Sequence, residues 1–218
     1  QWSLPVKEAL RIGIPGMFGY RMTDLGGKVE ASSYWGAVGR TSGWEVHKQG
    51  LARHSGSGEY AGILVLFLAA FAFFQSFRGA DSGFEERTRR IVWFWSGVAG
   101  VSLLLAFGKF GPLYRLVYEL PYFSMIRNPI KFMHLFHLAV VILFGYGMQL
   151  LWTQYFERAK ERRTALVGYL KEWWGAVSGF ERRWTFGGGV FLIVMIMFWL
   201  IFASSKSEMI GVLTAAAI

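Results

Sequence analysis

Four long runs without a charged residue divide the chain, at residues 60–77, 91–107, 132–152 and 187–203. A helical residue rises about 1.5 Å and a bilayer's hydrocarbon core is about 30 Å thick, so runs of this length suit helices that cross it. The pattern therefore predicts an all-α fold, a polytopic helical membrane protein with about four transmembrane helices. Two shorter stretches complete it. Residues 4–12 suit a short helix, with Pro5 in its first turn, Leu10 and Ile14 on an apolar face, and Pro15-Gly16 ending it. Such a helix lies on the membrane or folds back on it. Residues 112–120 are amphipathic, with Leu113, Leu116 and Val117 on one side, Arg115 and Glu119 on another, and Pro121 as the stop.

Four regions follow from this pattern. Residues 1–59 form an outward-facing, glycine-rich loop region in which Tyr20, Tyr34, Trp35 and Trp44 favour an ordered loop packed on the protein. Residues 60–152 hold three transmembrane helices and, at 108–131, a re-entrant or interfacial helix with an Arg-Asn-Pro loop. Trp93 and Trp95 sit near one end of the second run, where indoles prefer the interface. Gly145 and Gly147 in the third run let a neighbouring helix approach or let the helix bend. Residues 153–185 are a basic cytoplasmic segment lying along the headgroups through Leu166, Tyr169, Leu170, Trp173 and Trp174. Residues 186–218 supply the fourth transmembrane helix and a tail.

Composition agrees with this class. The 218 residues are 54% hydrophobic and 18% aromatic, yet carry a net charge of +9. The charges are spread over short connections between apolar runs, which argues against a nucleic-acid-binding face. With no cysteine there is no disulfide framework and no zinc-thiolate site. Four spans put residues 78–90 and 153–185 on one side, with 11 Lys plus Arg; the other loops hold the remaining 12 of 23 over about twice the length. The denser side is the cytoplasmic one. The chain opens on Gln1 without a signal peptide and stops in TAAAI just after an apolar segment, so a piece of a longer protein is expected.

Several stretches together carry a family likeness: WSLPVKEALRIGIPGMFGYRMTDLGG with SSYWGAVGR, RHSGSGEYAGILVLFLA, SLLLAFGKFGPLYRLVYELPYFSMIRNPIKF and FHLAVVILFGYGMQLL. Over residues 2–151 the chain resembles the central part of the YfhO-like bacterial membrane proteins, grouped with the GT-C glycosyltransferases. The Gly-Lys-Phe-Gly-Pro turn, followed by Pro-Tyr-Phe and Arg-Asn-Pro, is its most specific part. The resemblance implies a multi-pass protein of the bacterial inner membrane that transfers a sugar from a polyprenyl-phosphate donor on the outer face. It also implies a catalytic acid in a first outward loop that has no counterpart here, so no catalytic residue is assigned.

Arg127 and Lys131 are the candidate cations for a lipid-linked phosphate, because a guanidinium fork fits phosphate oxygens and nearby spans can admit the lipid tail. Their plainer role is to snorkel to headgroups. Asn128, placed with them in the substrate-binding set, equally ends the loop and caps the helix. Among the outward carboxylates Asp24, Glu30, Glu45, Glu59 and Glu119, Glu59 stands at the start of the first span. There it can act as a general base, hold a divalent cation, or cap the helix. His134 and His137 share a face of the third run; hydrogen bonding to a neighbouring helix or placement at the interface is favoured over a haem or chlorophyll ligand, a proton relay or a metal site. Residues 54–58, His-Ser-Gly-Ser-Gly, resemble a phosphate-cradling turn, and Tyr34, Trp35 and Trp44 suit sugar stacking or an interfacial belt. The expected function is a glycosyltransferase-like activity on membrane-borne substrates. The alternatives are a non-catalytic structural or accessory subunit packed on other membrane subunits and lipid, and a transporter.

Overall fold

The structure, a computed structural model, describes residues 2–14, 17–18, 36–38, 59–122, 125, 128–156, 168, 171 and 174–202. Arg127, Asp24, Glu30, Glu45, the 54–58 turn, Tyr20, Tyr34, Trp35, Trp44, Leu166, Tyr169, Leu170, Trp173 and the tail after Phe202 lie outside the described residues. The fold is all-α, with no strand among the described residues. A 3-10 helix, Val6–Ile12, precedes α1 (Ile63–Ser76), α2 (Glu86–Ala106), α3 (Leu113–Tyr118), α4 (Phe132–Leu151) and α5 (Gly179–Phe202).

Two helical stretches among the described residues are long and apolar enough to cross a membrane, Glu86–Ala106 and Pro129–Gln154. Only 28% and 33% of their most apolar windows are buried inside the protein. Trp93, Phe94, Val101 and Leu104 on α2 and Leu135, Leu138, Val141 and Met148 on α4 are exposed instead. The core helix of a water-soluble domain buries such side chains, since each is worth about 1.5–3 kcal/mol when removed from water.

The other two predicted runs differ from expectation at their ends. The run at 60–77 becomes the 14-residue α1, about 21 Å long, which is shorter than a hydrocarbon core. Gly62 adopts φ +97°, which a helix cannot include, and the Ala61 N–H is given to the Ile12 carbonyl at 2.9 Å. The run at 187–203 lies in α5, whose 24 residues begin eight positions earlier than the apolar pattern. Ser178 and Glu181 explain the early start. The Ser178 N–H donates to the Glu181 carboxylate at 2.9 Å and the Glu181 N–H donates to Ser178 Oγ at 3.3 Å, a reciprocal capping box. The first turn of a helix thus falls inside the segment assigned to the headgroup surface.

The chain divides into two compact units, residues 1–63, 97–138 and 198–218 in one and residues 64–96 and 139–197 in the other. In the second unit α1 is gripped from several sides. A Cβ on Gly147 of α4 would stand 2.9 Å from the Leu68 carbonyl carbon, so only glycine allows this approach, as its place in the sequence suggests; Gly145 faces open space. A Cβ on Gly188 of α5 would meet the Phe67 ring at 2.5 Å, and Trp184 of α5 lies against Phe67, Phe71 and Phe74, with ring centroids 5.3–5.6 Å apart. Trp93 Nε1 donates to Ser76 Oγ at 2.7 Å, joining α2 to the end of α1.

Candidate functional site

The first unit is built by threading residues 2–14 between later parts of the chain. The Leu4 N–H donates to the Ala106 carbonyl at 2.9 Å, the Ile130 N–H donates to the Trp2 carbonyl at 3.0 Å, and the Lys109 N–H donates to Ser3 Oγ at 3.2 Å. Gly108 sits at this crossing with φ +51°, and a Cβ there would meet Pro129 at 2.9 Å and Ser3 at 2.8 Å. The Gly-Lys-Phe-Gly-Pro turn therefore has a packing reason for its first glycine: left-handed backbone pressed against two chain segments.

The 3-10 helix Val6–Ile12 follows the expected apolar face only in part: Ile14, just after it, is buried together with Ile12, whereas Leu10 is not. Val6 and Leu10 are 55% and 51% exposed, whereas Glu8 and Arg11 are 3% and 2% exposed. The Arg11 guanidinium lies 3.2 Å from the Glu8 carboxylate and 3.0 Å from the Glu59 carboxylate, and Glu59 is itself only 7% exposed. The Ala37 N–H donates to Glu8 Oε1 at 2.6 Å. Glu59 is thus held by an arginine 48 positions earlier in the chain, a role absent from the sequence reading.

His137 of α4 closes the site. Its Nε2 lies 3.1 Å from the Glu59 carbonyl oxygen and its Nδ1 lies 2.6 Å from the Met133 carbonyl oxygen. His137 thus faces a carbonyl of its own helix and one ahead of α1, not a neighbouring helix, while His134 is exposed. Burial pushes the Glu59 carboxyl above the ordinary glutamate range; Arg11 and a hydrogen bond from its own backbone pull the other way, Glu8 adds to the rise and His137 opposes it. Among the described residues no group of three His, Asp or Glu side chains is arranged to hold a metal ion.

The remaining candidates stand in the same unit. Asn128 is half-buried and caps nothing with its side chain at the 3-10 turn Pro129–Lys131 that leads into α4, and Lys131 is exposed. Glu119 is exposed at the end of α3. On α3, Tyr114 is buried and Leu116 is 67% exposed, so the side carrying Leu116 is not the packed one. Tyr122 follows Pro121 with φ +72°, an uncommon backbone for a residue with a Cβ, and its ring is exposed.

Glu8 and Arg11 escaped the sequence reading because their partner is remote. One local signal was present: a Glu and an Arg three apart on a short helix flanked by apolar residues, a spacing that puts both charges on one side. No family model, curated protein or solved structure matches the chain.

Proposed function

We propose that this chain is part of a multi-pass membrane protein of the GT-C glycosyltransferase type, lying in a bacterial inner membrane and handling a polyprenyl-phosphate sugar at its outer face. The observation that carries the reading is Lys131, an exposed cation in the first turn of the 26-residue apolar stretch Pro129–Gln154. A cation there meets a lipid-linked phosphate at headgroup depth, and Arg127, four residues earlier, doubles the charge. Four spans, formed by the apolar runs including those of α1 and α5, then put residues 108–131 outside and the basic connection 78–90 in the cytoplasm. Glu59 contributes by fixing the start of α1 to the 3-10 helix.

The test is binding of a polyprenyl-phosphate sugar to the purified chain in nanodiscs. Replacing Arg127 and Lys131 together with Gln abolishes binding while expression and insertion persist; unchanged binding overturns the reading. One observation favours the alternative of a non-catalytic subunit: Glu59 is already engaged by Arg11 and lies out of water. A chain that binds no donor but copurifies with other membrane subunits supports that alternative.

A further inference from the structure

The first turns of α2 carry a groove of about 560 Å³ in the second unit, lined among the described residues by Glu86, Arg87, Arg90, Ile91 and Phe94. Side chains three and four apart on a helix are neighbours, so these five share one side of α2. The lining changes character along the axis. Glu86, Arg87 and Arg90 are exposed at its charged end, and Ile91 and Phe94, the latter 62% exposed, continue it as apolar surface. At about 1.5 Å rise per residue, Phe94 lies about 10 Å beyond Arg87 along the helix.

The charges of the groove do not cancel. Arg90 forms an ion pair with Glu86 one turn before it, whereas Arg87 takes part in no ion pair among the described residues. Two guanidiniums against one carboxylate leave one positive charge. A guanidinium fork matches a pair of phosphate oxygens, but inorganic phosphate would leave Ile91 and Phe94 bare. An anionic headgroup joined to an acyl chain suits both ends of the groove at once. A zwitterionic lipid is the poorer match, since it brings a cation of its own toward Arg87. The order of the lining also agrees with a lipid. α2 is long and apolar enough to cross a membrane, and the groove runs from its charged end into its apolar length, as a lipid runs from headgroup to chain.

We propose that this groove binds one anionic phospholipid of the cytoplasmic leaflet, with its phosphate on Arg87 and Arg90 and its acyl chain along Ile91 and Phe94. Glu86 limits the affinity, because it competes with the phosphate for Arg90. The site rests on the membrane-spanning reading of α2 and on the cytoplasmic placement of residues 78–90. It is independent of the sugar donor, whose candidate cations follow the other end of α2 in the chain.

The experiment is native mass spectrometry of the whole chain in detergent with equal amounts of phosphatidylglycerol and phosphatidylcholine, beside flotation of the chain with phosphatidylcholine vesicles. The expected result is flotation, with one phosphatidylglycerol retained in preference to phosphatidylcholine. Its affinity falls about fivefold in each of Arg87→Gln and Arg90→Gln, the effect of one cation near an anionic headgroup. Affinity rises in Glu86→Gln, and Phe94→Ala weakens retention of both lipids. Lys109→Gln, at an exposed cation outside the groove, leaves it unchanged. The five substituted positions are exposed, so the fold survives each change. A chain that floats but retains the two lipids equally overturns the site and leaves the membrane reading standing; a chain that does not float overturns both. A loss in Lys109→Gln equal to that in Arg87→Gln overturns the site as general charge attraction. Displacement of the lipid by inorganic phosphate makes the groove a free-anion site and overturns the proposal. So does a dimer that Phe94→Ala dissociates, which assigns the groove to a second copy of the chain.

Discussion

At the scale of the residue, Arg11 is what makes two buried glutamates tolerable together. Removing one member of a buried ionic group costs more than the group is worth, because the partners stay desolvated without compensation. Arg11→Leu is therefore expected to lower stability by about 3–5 kcal/mol, read from denaturant unfolding in detergent. Glu59→Gln behaves differently, since Glu8 remains paired with Arg11 at 3.2 Å. The folded Glu59 carboxyl titrates above its unfolded counterpart, so the folded state holds the proton more tightly. Its contribution to stability is full below the ordinary glutamate range and is lost as pH rises through the displaced value. Unfolding measured from acid to neutral pH should show wild type losing stability relative to Glu59→Gln over that window, then running parallel to it. A gap that widens toward acid in favour of Glu59→Gln would overturn this assignment.

At the scale of the element, the ends and close approaches decide what the apolar runs become. Ser178→Ala removes one arm of the capping box at the start of α5 and should cost about 0.5–2 kcal/mol, with hydrogen exchange accelerating over residues 179–182. Gly147→Leu should displace α1 from α4, because any side chain there runs into the Leu68 backbone; Gly145→Leu, facing open space, should not. Both outcomes are read from the thermal midpoint of the detergent-solubilised chain. The positions of the helices were legible because a charge-free run is a local property of the sequence. Gly147 was legible for a related reason, a small residue within an apolar helix being useful mainly for close contact. The orientation of the 3-10 helix was legible only in part: Ile14 is buried as the apolar face suggested, but nothing local tells that Glu8 and Arg11 pack inward in place of Leu10. The Glu59–Arg11 pair depends on chain segments that meet only after folding, so neither periodicity nor spacing could report it. The capping box at Ser178 was present in the sequence as Ser-Gly-Phe-Glu, but the basic residues around it suggested a surface segment instead.

At the scale of the whole molecule, the proposed membrane placement makes a claim about sidedness that the chain is well suited to test. Exposed apolar side chains continue along α5, at Phe191, Ile193, Val194, Ile196, Met197 and Leu200, as they do on α2 and α4. Water is a poor solvent for such surfaces, and a monomer in water rarely shows contiguous patches larger than a few hundred Å². If α2 crosses the bilayer, the charged turn before it and the Gly-Lys-Phe-Gly-Pro turn after it face different compartments. The sequence contains no cysteine, so a single introduced thiol reports its own side without background. Lys109→Cys and Lys131→Cys, both at exposed positions, should react with a membrane-impermeant maleimide added to intact cells. Arg87→Cys and Arg90→Cys, also exposed, should react only after the membrane is opened. The assignment has a physical basis in the four arginines between residues 78 and 90, because translocating that cluster against the positive-inside bias is unfavourable. Labelling of Arg90→Cys in intact cells together with protection of Lys131→Cys would invert the topology and place the lipid-phosphate cations in the cytoplasm. Equal labelling of both ends would mean that α2 lies along the bilayer surface, and the membrane-spanning reading of that helix would fall with it.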